Sequence, residues 1–256
     1  MTVKDFSVIE DDHLFFMNAA TEARQDRLAH LGELRNHFIE KRFVDWLDIG
    51  CSQGEFTSSL LREWKFPANG LSLSLLEPVR RHRQVAADAL SRFTGELPRE
   101  VEHLGEEPDK SFDMILANHS CYYVADAGET VDQVVRLLRP GGLAIIAIAG
   151  HENFLVDLWR IGFRALGREI PYWVADDFQR VLSDRHLSFR SKEVGYEIQF
   201  EDTLENRERI LRFLFGEDWA DLDVGIFRMA FAPFSQDGWL RIPAQSRHLV
   251  IEAPKG

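Results

Sequence analysis

Residues 44–56 read V-D-W-L-D-I-G-C-S-Q-G-E-F. A short apolar run closes on the carboxylate of Asp48. Gly50, Ser52 and Gly54 follow, and Phe56, Leu60, Leu61 and Trp64 then repeat at helical spacing. That is a strand, a glycine turn and a helix. Glycine lets the backbone turn tightly and lie close to a ligand. The helix start behind it offers unpaired N–H groups to a polar or anionic group. A second apolar run, 71–76, ends in Glu77. A carboxylate there can accept hydrogen bonds from both hydroxyls of a ribose; the alternative is an acid that only serves the turn. A third pair, Asn118 and His119, follows the run 112–117 and stands just before Tyr122 and Tyr123. His119 reads either as a satisfied polar side chain or as an acid–base group.

The elements that must hold these groups alternate. Strands are expected at 44–49, 71–76, 100–104, 112–117 and 143–149. Helices are expected at 55–64, at 78–93 with Pro78 in the first helical position, and at 129–138 with R-P-G-G as the stop. Such alternation implies a parallel sheet with right-handed crossovers. Ligands of these sheets lie at the carboxyl ends of the strands. Those ends carry 48–54, Glu77, Gly105 with Glu106, Asn118 with His119, and 150–151.

Ahead of the sheet, His13, Phe15 and Phe16 stand together. A helix from Asn18 to about residue 42 then presents Leu28, Leu31, Leu34 and Phe38 on one face. Glu22 falls in its first turn, where the helix dipole favours a carboxylate. Beyond 150 the expected elements are a helix at 154–166, a segment at 176–182, a strand near 189–200 and a helix at 204–215. The segment 221–231 is ambiguous, and strand runs at 238–242 and 248–253 suit an antiparallel edge. The expected organisation is an N-terminal lid and helix over 1–43, a ligand-binding core over 44–150, and substrate-side helices with the last strands over 151–256.

The net charge of −12 argues against a dedicated nucleic-acid binder. The basic run Arg80-Arg81-His82-Arg83 reads as a solvated helix face. Cys51 and Cys121 make neither a disulfide framework nor a zinc site and read as small buried thiols, so no metal is expected. No stretch approaches the apolar length of a membrane span, and the first residues lack the apolar core of a signal peptide; the expectation is a cytoplasmic protein without membrane or nucleic-acid partners.

The glycine spacing departs from the G-x-G-x-x-G of dinucleotide folds. It resembles the first motif of class I S-adenosylmethionine-dependent methyltransferases, close to D-x-G-x-G-x-G, at Asp48, Gly50 and Gly54, with Ser52 in place of the middle glycine. That resemblance implies a Rossmann-like α/β sheet with helices on both faces, and S-adenosyl-L-methionine as cofactor.

T-E-A-R-Q at 21–25, L-L-E-P at 75–78, C-Y-Y-V-A-D at 121–126, D-L-W at 157–159, A-D-D-F at 175–178 and L-V-I-E-A at 249–253 together resemble the histamine N-methyltransferase family. The resemblance implies Glu22 as a substrate-holding carboxylate, His119 at a polar substrate contact, Tyr122 and Tyr123 beside it, and Trp159 as an aromatic wall. For the cofactor it implies Gly50, Glu77, His82 and Asn118. His119 stands where that family has glutamine, Leu155 where it has a second tryptophan, and Gln245 only approximates its asparagine.

A small amine or imidazole-type acceptor, N-methylated after losing its proton to water or to His119, is the first reading. Phe15 and Phe16 then belong to the substrate side. The alternative is an O- or C-methyltransferase of a natural-product intermediate. It requires a true base beside the acceptor, and His119 is the candidate. A binding module that kept the fold, and an RNA methyltransferase, are further rivals.

Overall fold

In this computed structural model, which describes residues 8–255, the chain opens with helices α1 (Glu10–Ala19) and α2 (Glu22–His37). Strand and helix then alternate: β1 (Val44–Ile49), α3 (Glu55–Trp64), β2 (Leu71–Leu76), α4 (Arg80–Leu90), β3 (Arg99–Val101), β4 (Phe112–Asn118), α5 (Ala127–Leu137) and β5 (Leu138–Ala149). Next come α6 (Phe154–Ala165), α7 (Ala175–Asp184), β6 (Phe189–Glu201), α8 (Leu204–Phe215), α9 (Arg228–Phe231), β7 (Ser235–Gln236) and β8 (Trp239–Glu252).

The strand order is β3-β2-β1-β4-β5-β8-β6, with β7 pairing antiparallel to β8. The pairs β1–β2, β2–β3, β1–β4 and β4–β5 are all parallel. β1 and β4 are buried almost throughout, as strands of a sheet covered on both faces are. From β1 the chain builds outward through β2 to β3, then crosses back to β4 on the other side of β1. The topological switch therefore lies between β1 and β4, where ligands of open α/β sheets bind.

Two compact units divide the described residues: 8–25, 149–172 and 193–246 form one, and 26–148, 173–192 and 247–255 the other. In the larger unit, Leu31, Leu34 and Phe38 pack with Trp46, Leu60 and Trp64 in one apolar cluster. In the smaller unit α1 lies on α8. Phe16 and His13 stack on Phe213 with ring centroids 4.6 and 5.3 Å away. Asp12 pairs with Arg209 at 3.4 Å and with Arg212 at 2.9 Å.

Several boundaries differ from the sequence expectations. The first helix is two: α1 ends at Ala19, and Thr21 is tied by its N–H and hydroxyl to the backbone of Glu197 in β6. On α2, Leu28 is 49% exposed, and Asp26 and His30 occupy the buried face instead. Residue 28 stands about 200° around the helix from residue 26, so both sets cannot face inward. Pro78 lies before the N-cap Val79 rather than inside α4. The segment 139–142 does not follow a helix as a separate stop; α5 ends at Leu137 and β5 starts at Leu138. β3 is a three-residue strand, 221–231 forms short helical turns, and one long strand, Trp239–Glu252, replaces the two expected over 238–253. The first seven residues of the expected lid lie outside the described residues. Among the described residues, no helix is long and apolar enough to cross a membrane.

Candidate active site

The turn after β1 needs left-handed backbone at three positions. Gly50, Ser52 and Gly54 have φ of 72°, 48° and 80°. Ser52, where the related motif carries glycine, accepts that conformation despite its side chain, at about 1–2 kcal/mol. A Cβ added to Gly50 would lie 2.2 Å from the Cβ of Ser120, whose hydroxyl donates to the carbonyl of Ile49 at 2.6 Å. One added to Gly54 would meet the backbone of Ala86 in α4 at 3.1 Å. Gly50 therefore lets the turn abut the loop after β4, and Gly54 lets α3 and α4 close behind it.

Glu77 locks this turn from the next strand. Its Oε2 accepts the N–H of Ser52 and its Oε1 the N–H of Val79, each at 3.0 Å. Every carboxylate oxygen has two lone pairs, so acceptor capacity remains for a ribose. Arg83, which reads as a solvated charge in the sequence, is buried: it donates to the Glu77 carbonyl and to the Glu100 carboxylate at 2.5 and 2.7 Å. Asp48 is 2% exposed and accepts the Thr57 hydroxyl at 2.5 Å. Burial, with a smaller push from Glu77, raises its carboxyl to about 7. Cys51 and Cys121 are buried free thiols, both pushed up by desolvation. His82 is half-buried in the first turn of α4, and Gly105 and Glu106 lie exposed in the turn after β3.

The end of β4 carries the second half of the site. His119 has φ 52°, and its N–H donates to the carbonyl of Ala147. The left-handed kink there turns its ring away from the line of the strand. Nε2 lies 2.8 Å from Oδ2 of Asp26, and Nδ1 lies 3.0 Å from the hydroxyl of Tyr122. The other oxygen of Asp26, Oδ1, lies 2.8 Å from Nε2 of His248. Burial alone would raise the Asp26 carboxyl, but the hydrogen bonds and charges of the two imidazoles outweigh it and hold the group well below the usual carboxylate range. An ionised carboxylate only accepts, so both Nε2 atoms donate. Nδ1 of a neutral His119 is then the acceptor of the Tyr122 O–H. Tyr122 lies in a tight 3-10 turn, Cys121–Tyr123, whose backbone is held by Trp173. That turn, rather than an extended strand, explains why Tyr122 is buried and Tyr123 only half so.

Asn118 is engaged in the same way by the next turn of α2: its Oδ1 accepts from Nε2 of His30 at 2.9 Å. Burial, reinforced by His248, lowers His30 to about 3, so it is neutral. Asp26, His30 and His248 are absent from the candidates read in the sequence. The available signal was the i, i+4 spacing of Asp26 and His30, which puts both on one face of α2.

Phe15, Phe16, Glu22 and Trp159 belong to the smaller unit. Phe16 is buried against Phe213, and Phe15 meets Phe200 edge-on beneath Arg209. Trp159 is 4% exposed and donates its indole N–H to the carbonyl of Leu214. Glu22 is the half-buried first residue of α2.

The sequence profile of the methyltransferase domain family matches residues 19–199. The chain belongs to this family of S-adenosylmethionine-dependent methyltransferases. It is 32% identical over 189 residues to 27-O-demethylrifamycin SV methyltransferase of Amycolatopsis mediterranei, covering 72% of this chain and 66% of that protein. It is 30% identical over 113 residues to malonyl-[acyl-carrier protein] O-methyltransferase of Paenibacillus sp. (strain JDR-2), covering 43% of this chain and 40% of that one. The match thus spans less than two thirds of each relative. A putative methyltransferase from Bacillus halodurans shares the fold, with a TM-score of 0.59 at 14% identity over 89% of this chain and all of that one. The methyl donor of the family, S-adenosylmethionine, suits the left-handed turn of Gly50, Ser52 and Gly54 and the acceptor capacity left on Glu77.

Proposed function

We propose that the chain is an O-methyltransferase of a small hydroxyl-bearing molecule. The hydrogen-bonded row Tyr122–His119–Asp26 at the end of β4 carries this reading. A hydroxyl is a poor nucleophile until its proton leaves, and a positioned imidazole backed by a carboxylate removes it. The named methyltransferase relatives act at oxygen, which favours this alternative over the amine.

Gly50, Ser52 and Gly54 shape the donor site, Glu77 takes the ribose hydroxyls, and Asp48, His82, Gly105, Glu106 and Asn118 complete its edge. When bound there, S-adenosylmethionine supplies a methyl group on an electron-poor sulfur. Asp26 fixes the His119 tautomer with the proton on Nε2. The acceptor hydroxyl gives its proton to the Tyr122 oxygen while the Tyr122 proton passes to Nδ1 of His119. The charge formed on the imidazole lies against the ionised Asp26, and His119 then returns the proton to water. Tyr123 stands beside this row in the same unit; for Phe15, Phe16 and Trp159, which belong to the smaller unit, a substrate role rests on the sequence reading alone.

N-methylation of an amine stays as a second reading for one reason. Glu22 stands one turn before Asp26 on α2, so a carboxylate suited to a cationic substrate shares the helix face that carries the base partner. The division into lid, donor core and substrate-side portion is part of the proposal. Paired acceptors that differ only in a hydroxyl or an amine, incubated with methyl-labelled donor, test it. Label on oxygen supports the proposal, and label on nitrogen alone overturns it in favour of the amine.

A further inference from the structure

Behind His119 three elements meet through side chains almost without solvent contact. Asp26 and His30 stand one turn apart on α2 and engage His119 and Asn118, consecutive residues at the end of β4. His248 of β8, 1% exposed, touches both helical residues: its Nε2 meets Oδ1 of Asp26 at 2.8 Å, and its ring stacks 4.4 Å from that of His30. Polar groups this deep are unfavourable unless they are hydrogen-bonded, and a leucine would fill the space without that demand. With Asp26 buried, an imidazole at 248 supplies a donor to Oδ1 that a leucine would not, and so bears on how the carboxylate is held.

We propose that His248 is a positioning residue for the base: by donating to Oδ1 it turns the Asp26 carboxylate so that Oδ2 meets His119, and it limits the negative charge which that oxygen presents. The inference rests on His119 being the base. The groups that face the pair are known. Asp26, His30 and Glu33 come from α2, with Glu33 held by Arg190 and near Lys192 of β6. Tyr122 comes from the turn after β4, and Glu22 lies on the Asp26 face of α2.

Removing the His248 donor leaves the carboxylate charge on fewer hydrogen bonds. His119 then becomes more basic, because its protonated form faces a stronger acceptor. Substitution by phenylalanine keeps the stacked ring and removes the donor; substitution by glutamine keeps a donor. The readout is the NMR titration of the His119 ring with S-adenosylhomocysteine bound, the resonance being assigned by its loss in His119→Gln. His248→Phe should raise the His119 midpoint by about one pH unit, the scale of one hydrogen bond to a charged group. His248→Gln should return most of that shift, and both should bind S-adenosylhomocysteine as the parent does. A side chain that only fills space would leave the midpoint unmoved, and that result overturns the proposal.

If His248→Phe does not fold, the ring nitrogens of the parent protein decide by nitrogen-15 NMR. Protons on Nε2 of both His119 and His248 support the arrangement, and a neutral His248 protonated only on Nδ1 overturns it. Activity of His119→Gln separates the two layers. If that variant keeps full activity, the base reading falls and the inference about a base falls with it. If it is inactive while the His248→Phe titration is unmoved, only the role of His248 falls.

Discussion

Asp26 decides the chemistry of the site because it is buried, ionised and shared between two imidazoles. Asp26→Asn keeps the shape but can donate toward His119 and so favour the wrong tautomer. We expect kcat to fall by about 10²–10⁴-fold, the range of a positioned general base, with the affinity for S-adenosylhomocysteine in calorimetry unchanged. Two other buried groups set opposed pH dependences. Asp48 is raised from 3.8 to about 7, so between those values the folded protein holds the extra proton and stability is lost as pH rises. His30 is lowered from 6.5 to about 3, so there the unfolded chain holds the extra proton and stability is lost as pH falls. The two slopes oppose each other over the overlapping range. Asp48→Asn should therefore steepen the rise of the urea midpoint between pH 4 and 6.5, about the range the two groups share. His30→Gln should make the midpoint fall over the same range. An unchanged slope in both variants would contradict the burial assigned to these groups.

At the scale of elements, the turn after β1 was legible because its requirement is local. Positive φ and a strand end leave a glycine and carboxylate pattern that any reading of spacing detects. The partner of that turn was not legible, since Ser120 is distant in sequence and meets Gly50 only through the β1–β4 pairing. Gly50→Ala should destabilise by about 1–3 kcal/mol, from overpacking against Ser120 and the left-handed φ. Adding Ser120→Gly should recover the steric part and leave the conformational part. Absence of any recovery in thermal unfolding would show that the two loops do not abut. Helix α2 was misread for a related reason. Leucines at 28, 31 and 34 satisfy an apolar period, and nothing local reveals that Asp26 and His30 outrank Leu28 for the inner face. Their partners, His119, Asn118 and His248, come from β4 and β8, so the burial of these polar groups is decided by strand order. Glu77 was readable as a strand-end acid, whereas its grip on Ser52 and Val79 required the turn itself.

At the scale of the molecule, the alternation from β1 to β5 made a parallel sheet legible, whereas the strand order and the switch between β1 and β4 come from the structure. The portion after residue 150 was read only in pieces, because its strands β6 and β8 are completed by partners remote in sequence. The residues of helix α1 fall in the expected lid, and α1 is seated on α8 by Phe16, His13 and Asp12. Phe16→Ala should destabilise by about 3–5 kcal/mol, the usual loss for a buried phenylalanine. The expected observation is an earlier unfolding step with S-adenosylhomocysteine still bound by the larger unit. Full stability in that variant would show that the Phe16 ring does not hold α1 on α8.

The central claim is that His119 takes the proton of a hydroxyl acceptor. It is tested most directly by transfer of a labelled methyl group to hydroxyl acceptors in the parent and in His119→Gln, at saturating donor. The expected result is label on oxygen in the parent and a loss of about 10²-fold or more in the variant, with S-adenosylhomocysteine affinity intact. A variant that methylates the hydroxyl at the parental rate would contradict it.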